Sequence, residues 1–165
     1  MIADWIENWL EGRTQRVGVN GMYSDWADVT SGVPQGSGPL LFTIYINDLE
    51  ERVTNKVLKF ADDSKLWGKA ETIQDRISLQ RDLDTLGDWS IKNKMPFNVK
   101  KCKVMHIGKN DSHDEYSLMG QKLNDSCEEK DLGVFFSNNF KPNLNCDKAS
   151  KSANRIIGMI KKIYN

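Results

Sequence analysis

Two short apolar runs, Val57-Leu58-Lys59-Phe60-Ala61 and Ser64-Lys65-Leu66-Trp67, flank the adjacent carboxylates Asp62-Asp63. Both runs have the length and composition of strands, so they predict a hairpin with the acid pair at or beside its turn. Two like charges held that close repel each other unless something positive sits nearby. A hard divalent ion such as Mg²⁺ is the usual partner, because it takes carboxylate oxygens. Asp also favours turns for local reasons. The tetrapeptide Phe60-Ala61-Asp62-Asp63 alone therefore leaves a metal-binding pair and a solvated turn both open.

The rest of the chain predicts an alternation of helices and short strands. Asp4 to Leu10 reads as the end of a helix with Trp5, Ile6 and Trp9 on one face. Thr14–Val19 and Tyr23–Thr30 flank Asn20-Gly21, a strong hairpin signal. Leu40 to Leu49 is apolar almost all round, which predicts a buried helix with Pro39 in its first turn. Thr72 to Lys94 predicts a long helix opened by Thr72 or Glu71 and ended by Pro96, with Ile73, Ile77, Leu83 and Leu86 as its apolar stripe. Strands are expected near Lys103–Ile107, Glu115–Leu118, Lys122–Asn124 and Leu132–Phe136, with Gly120 in a turn. The polar segment Gly108 to Asp114 reads as a mobile loop. Ala149, Ala153, Ile156, Ile160 and Ile163 recur at helical spacing and predict an amphipathic C-terminal helix.

Bulk properties narrow the class. At 165 residues the chain can bury one real core. No stretch approaches the roughly 20 apolar residues of a membrane span. The first residues carry early acids and no basic start, unlike a signal peptide, so an intracellular location is expected, with no membrane partner. Cys102, Cys127 and Cys146 are too widely spaced for a zinc pattern or a disulfide framework. Cys102 is expected to face a core. His106 and His113 have no partner at ligand spacing and read as structural or surface residues. Net charge is zero, yet from Lys92 onward there are 14 basic and 8 acidic residues, against 9 and 15 before it. A basic C-terminal half could meet phosphates, or could present solvated lysine-rich helix faces.

Four further segments carry a family resemblance. Ser31-Gly32-Val33-Pro34-Gln35-Gly36-Ser37 is a glycine-bearing loop running into Gly38-Pro39-Leu40-Leu41-Phe42. Asn98 to Met105 follows the long helix, and Lys130-Asp131-Leu132-Gly133-Val134 comes later. In this order, with Phe60-Ala61-Asp62-Asp63 between, they resemble the reverse transcriptases of non-LTR (LINE-type) retrotransposons. The Pro-Gln-Gly loop is similar to motif B and the Asp-Asp hairpin to motif C. Asn98 to Met105 resembles motif D, and Leu132-Gly133-Val134 motif E at the primer grip. Trp9 to Val17 resembles the linker that precedes motif B. No one of these motifs is specific; four in order are.

The resemblance implies an α+β fold: a polymerase palm fragment over residues 1–140, an antiparallel sheet backed by helices, with residues 141–165 beginning a thumb helix. The two helices Leu40–Leu49 and Thr72–Lys94 would lie on the hairpin face away from nucleic acid. It implies RNA-directed DNA polymerase chemistry with Mg²⁺, or Mn²⁺, an RNA template, a DNA primer and dNTP. Asp62 and Asp63 would be catalytic metal ligands, and Lys101 the general acid toward pyrophosphate, although Lys101 also belongs to a solvated lysine run. Pro34, Gln35 and Gly36 would line the template and nucleotide pocket; Leu132 and Gly133 would meet the primer.

Two departures matter. Motif A, a strand with a catalytic Asp, has no match in residues 1–13; Asp4 lies in a helical stretch and does not inherit the role. The family also has two apolar residues between Ser37 and Gly38. Their deletion would turn a following helix by roughly 200° and shift it about 3 Å. The buried helix is expected to keep its register, leaving Gly38 and Pro39 outside it and Gln35-Gly36 displaced. The chain is therefore expected to be inactive alone and to self-associate through an exposed strand edge. Alternatives are a non-catalytic nucleic-acid-binding or inert remnant, and a palm fragment of a group II intron-type or telomerase-type polymerase; the Trp-Leu-Glu-Gly-Arg-Thr-Gln linker and Pro-Gln-Gly-Ser loop favour the LINE-type reading.

Overall fold

The computed structural model describes residues 2–34, 38–108 and 114–164. Gln35, Gly36 and Ser37, and the 109–113 part of the polar loop with His113, lie outside the described residues. The chain divides into two compact units, Met1–Lys69 with Ile77–Phe97, and Ala70–Arg76 with Asn98–Asn165.

In the first unit α1 (Ile2–Leu10) carries Trp5 and Trp9 stacked at 5.4 Å on an exposed face. The chain then forms a ribbon of four short strands: β1 (Thr14–Gln15), β2 (Gly18–Val19), β3 (Met22–Tyr23) and β4 (Ala27–Asp28). β1 pairs with β4 and β2 with β3, both antiparallel. Asn20 (φ 51°) and Gly21 (φ 81°) make the two-residue turn that their sequence predicted. The Tyr23 ring lies across Gly18, where a Cβ would come within 2.9 Å of it. The Arg16 guanidinium sits 4.0 Å from the centre of that ring and 4.6 Å from that of Trp26.

Next comes α2 (Gly38–Tyr45), followed by a 3₁₀ turn at Asn47–Glu50. Two expectations are corrected here. Gly38 and Pro39 are helical, because proline's fixed φ suits a first turn and its missing N–H has no partner to lose there. Nor is the helix buried all round: Leu41, Ile46 and Leu49 are buried, whereas Leu40 and Ile44 are exposed. β5 (Lys56–Phe60) and β6 (Asp63–Trp67) form the expected antiparallel hairpin.

α3 (Ile73–Lys92) begins in the second unit and continues in the first. Thr72 and Asp75 cap it reciprocally, the Asp75 N–H donating to Thr72 Oγ1 and the Thr72 N–H to Asp75 Oδ2. It ends before Pro96, with Lys94 left-handed at φ 53°. There Met95 N–H bonds the Ser90 carbonyl and Lys94 N–H that of Ile91, the Schellman pattern with lysine in place of the usual glycine. The buried stripe of α3 is Asp82, Leu86, Gly87 and Ser90, while Ile73 and Ile77 are exposed. Of the expected stripe, Leu86 is buried and Leu83 half-buried, while the two residues of the first turns are not.

The second unit contains β7 (Lys103–Val104), β8 (Ser117–Leu118), β9 (Gln121–Lys122), β10 (Asn124–Asp125), β11 (Glu128–Asp131), β12 (Val134–Ser137) and α4 (Asn143–Tyr164). β7 and β10 pair in parallel; β8–β9 and β11–β12 are antiparallel hairpins. Their turns, Met119-Gly120 (φ 52°, 72°) and Leu132-Gly133 (φ 46°, 86°), repeat the Asn20-Gly21 geometry. Tyr116, Leu118, Leu123 and His106 are buried. α4 is joined to β12 by the Asn145 amide, which donates to the Phe135 carbonyl (2.7 Å) and accepts from its N–H (2.8 Å). α4 forms over the expected residues, with Ile156 and Ile160 exposed to the same extent as Ile157 and Met159. Among the described residues, four α-helices and small, mostly antiparallel sheets give the α+β architecture of a palm fragment. Among the described residues no helix is long and apolar enough to cross a membrane.

Candidate active site

The acid pair stands at the tip of the β5–β6 hairpin. Phe60 pairs with Asp63, leaving Ala61-Asp62 as a two-residue loop. Ala61 has φ 50°, a left-handed conformation that only glycine adopts cheaply. Side chains alternate along the two strands. Lys56, Leu58 and Phe60, with their partners Trp67, Lys65 and Asp63, form one face. On it Leu58 (59%), Phe60 (61%) and Trp67 (52%) are largely exposed, so this face is open. The other face, Val57 and Lys59 opposite Leu66 and Ser64, is half-buried.

Lys59 shows what covers that second face. Its Nζ donates to the carbonyls of Ile46 (3.3 Å) and Asn47 (3.2 Å) and pairs with Glu50 (3.2 Å). The end of α2 and the 3₁₀ turn therefore lie on the face away from Asp63. α3 is locked to the same segment: Trp89 Nε1 donates to Asp48 Oδ1 (3.0 Å), and the Tyr45 hydroxyl donates to the Asn93 carbonyl. At the open end of the hairpin Asp82, 1% exposed, accepts from the N–H groups of Thr54 (3.0 Å) and Asn55 (2.7 Å) and from Asn55 Nδ2 (2.8 Å). Sequence reading missed Lys59, Asp82 and Trp89 as supports. The one signal available was their placement, a lysine at an inward strand position and an aspartate in register with Leu86 and Ser90.

The other expected residues are scattered. Pro34 closes the described part of its loop, half-buried. It lines an open polar groove of ≈ 420 Å³ with Arg13, Gln15 and Asp28. Arg13 steadies that loop by donating to the Gly32 carbonyl (2.8 Å). Lys101 is exposed in the turn that opens with Asn98, in the second unit, where Lys101 N–H bonds the Asn98 carbonyl (2.9 Å). Beside it Cys102 is half-buried, and burial pushes its thiol pKa up. Leu132 and Gly133 are the two central residues of the β11–β12 turn. Asp62 and Asp63 stand together because they are consecutive in the chain, and the hairpin places them at its tip. Among the described residues no group of three or more His, Cys, Asp or Glu is placed to hold a metal ion.

Residues 1–136 match the model of the family described as reverse transcriptase (RNA-dependent DNA polymerase). The chain belongs to this family. Among curated relatives, the RNA-directed DNA polymerase from mobile element jockey of Drosophila melanogaster is 30% identical over 143 residues, covering 78% of this chain and 15% of the relative. Its Drosophila funebris counterpart is 30% identical over 141 residues, with the same coverage. The reverse transcriptase chain therefore spans about 15% of the length of the curated relatives it matches. No solved structure matches it. The resemblance to a LINE-type, non-LTR retrotransposon reverse transcriptase is borne out. Reverse transcriptases generally use divalent metal ions, nucleic acid template and primer, and dNTP.

Proposed function

We propose that this chain is palm (residues 1–140) and thumb start (residues 141–165) of an RNA-directed DNA polymerase, with Asp62 and Asp63 as its metal-binding carboxylates. The observation that carries the reading is the hairpin: two adjacent acids at the tip of strands whose far end and covered face are held by buried polar contacts. Their oxygens fit the hard donor set of Mg²⁺ or Mn²⁺. Metal bound there would activate the primer hydroxyl and offset charge on the reacting phosphates. Asp63 faces the open side of the hairpin, where template and primer would lie. By resemblance Pro34, Gln35 and Gly36 line the template and nucleotide pocket, Leu132 and Gly133 support the primer, and Lys101 donates a proton to pyrophosphate.

Two carboxylates are a share of a two-metal ligand set. The 165-residue chain therefore binds Mn²⁺ weakly at its tip and does not polymerise alone. Mn²⁺ titration followed by NMR line broadening tests the site: amides of residues 61–64 should broaden first, and Asp62→Asn with Asp63→Asn should abolish the effect. Broadening centred elsewhere sinks the assignment. Template-primer extension should stay at background; extension that disappears in Asp62→Ala would show the chain to be competent. A second reading, a non-catalytic nucleic-acid-binding remnant, rests on the charge of the C-terminal half, 14 basic against 8 acidic residues from Lys92 onward. Duplex binding that survives both Asp substitutions would support it.

A further inference from the structure

We propose that Asp82 is a positioning residue that sets the register of the β5–β6 hairpin, and with it the face on which Asp63 stands. The inference rests on the reading of Asp62 and Asp63 as the reactive pair. Three facts carry it. First, the hairpin turn does not specify its own register. The other two-residue turns, Asn20-Gly21, Met119-Gly120 and Leu132-Gly133, each hold a glycine at positive φ. Ala61-Asp62 has none; Ala61 has a positive φ like Asn20, Met119 and Leu132, but no glycine follows it. Second, a slip of one residue in a two-stranded ladder sends every side chain to the opposite face. Here it would carry Asp63 to the side where Lys59 meets α2 and the 3₁₀ turn.

Third, the end away from the turn is fixed independently of it. Both carboxylate oxygens of Asp82 are used, Oδ1 on Thr54 N–H and Oδ2 on the N–H and Nδ2 of Asn55, immediately before β5 begins. Asn55 Nδ2 also reaches Ser78 Oγ (3.2 Å). Directly after β6, Gly68 gives the Asn55 amide its space: a Cβ there would collide with the Asn55 side-chain oxygen and approach Leu79 Cδ2 to 2.8 Å. The entry of β5 is thus held by one buried carboxylate on α3, the exit of β6 packs against the Asn55 side chain that this carboxylate holds, and the register is counted from that end toward the tip.

The test uses the full chain, ¹⁵N-labelled, with Asp82→Asn, Asn55→Ala and Ala61→Gly. In Asp82→Asn an amide replaces one acceptor and faces donors. A second set of cross-peaks should appear for residues 57–66, with cross-strand contacts shifted by one residue and tip affinity for Mn²⁺ at least threefold weaker. Adding Ala61→Gly, which relaxes the turn, should return the single native set. A merely structural role for Asp82 would lower stability without that rescue. If Asp82→Asn does not fold, Asn55→Ala decides: it keeps the backbone bonds to Asp82 but removes the side chain that joins this carboxylate to the exit of β6, and it should show the same second set. One native set with unchanged Mn²⁺ affinity in a folded variant overturns the proposal. Failure of the wild type to bind Mn²⁺ at the tip would instead overturn the metal reading and leave the register shift to be scored on its own.

Discussion

Replacing Asn145 by alanine should release α4 from β12 while leaving both elements formed. The Asn145 side chain mimics a neighbouring strand, giving Phe135 both a donor and an acceptor at 2.7 and 2.8 Å. Each such bond contributes about 1 kcal/mol net, so the pair contributes about 2 kcal/mol to docking. That corresponds to roughly a 30-fold rise in the local opening equilibrium. Hydrogen exchange is the natural assay, because local opening is read at individual amides. The Phe135 N–H and the first turns of α4 should exchange faster by about that factor, and the β5–β6 hairpin should not change. Asn145→Asp should be at least as damaging, since a carboxylate would face the Phe135 carbonyl. A change of threefold or less at Phe135 would show that α4 is held by its other contacts and that the amide is incidental.

Ala61→Gly should raise stability by about 1 kcal/mol in urea unfolding, because it removes the left-handed penalty at the hairpin tip. Leu86→Ala should cost about 2–5 kcal/mol, since Leu86 is one of the few buried apolar side chains of its unit and lies between Asp82 and Ser90 on the inward stripe. Cys102 should be alkylated more slowly than the exposed Cys127 and Cys146. Burial raises its thiol pKa, so less of the reactive thiolate is present at a given pH. Peptide-resolved iodoacetamide labelling checks this; equal rates at all pH values would contradict it.

The turns and the acid hairpin were legible in the sequence because their signals are local. Glycine after Asn20 or Met119 permits positive φ, and the flanking residues pair as that turn requires, whereas Leu132, expected to begin a strand, is a turn residue of the β11–β12 hairpin. The inward face of α3 was legible only in part: Leu86 was expected on it, but its other buried residues include Asp82 and Ser90, which periodicity counts as polar. Only the partners, the N–H groups of Thr54 and Asn55, make that burial favourable, and they lie 27 or more residues away. β11 was missed for the same reason: Glu-Glu-Lys-Asp has no apolar alternation, and its place is set by pairing with Val134–Ser137. Motif order pointed to the family, yet Lys101, Leu132 and Gly133 fall in the second unit and the acid pair in the first.

The glycine-free turn at Ala61-Asp62 also has a consequence for the order of folding. Hairpins with a favourable two-residue turn can zip from the turn outward in roughly 1–10 μs. The β2–β3, β8–β9 and β11–β12 pairs have such turns. The β5–β6 pair lacks that nucleus, and its fixed point, Asp82, arrives only when α3 does. It should therefore close from its open end toward the acids, late, with Asn55 and Gly68 structured in the transition state and residues 60–63 still loose.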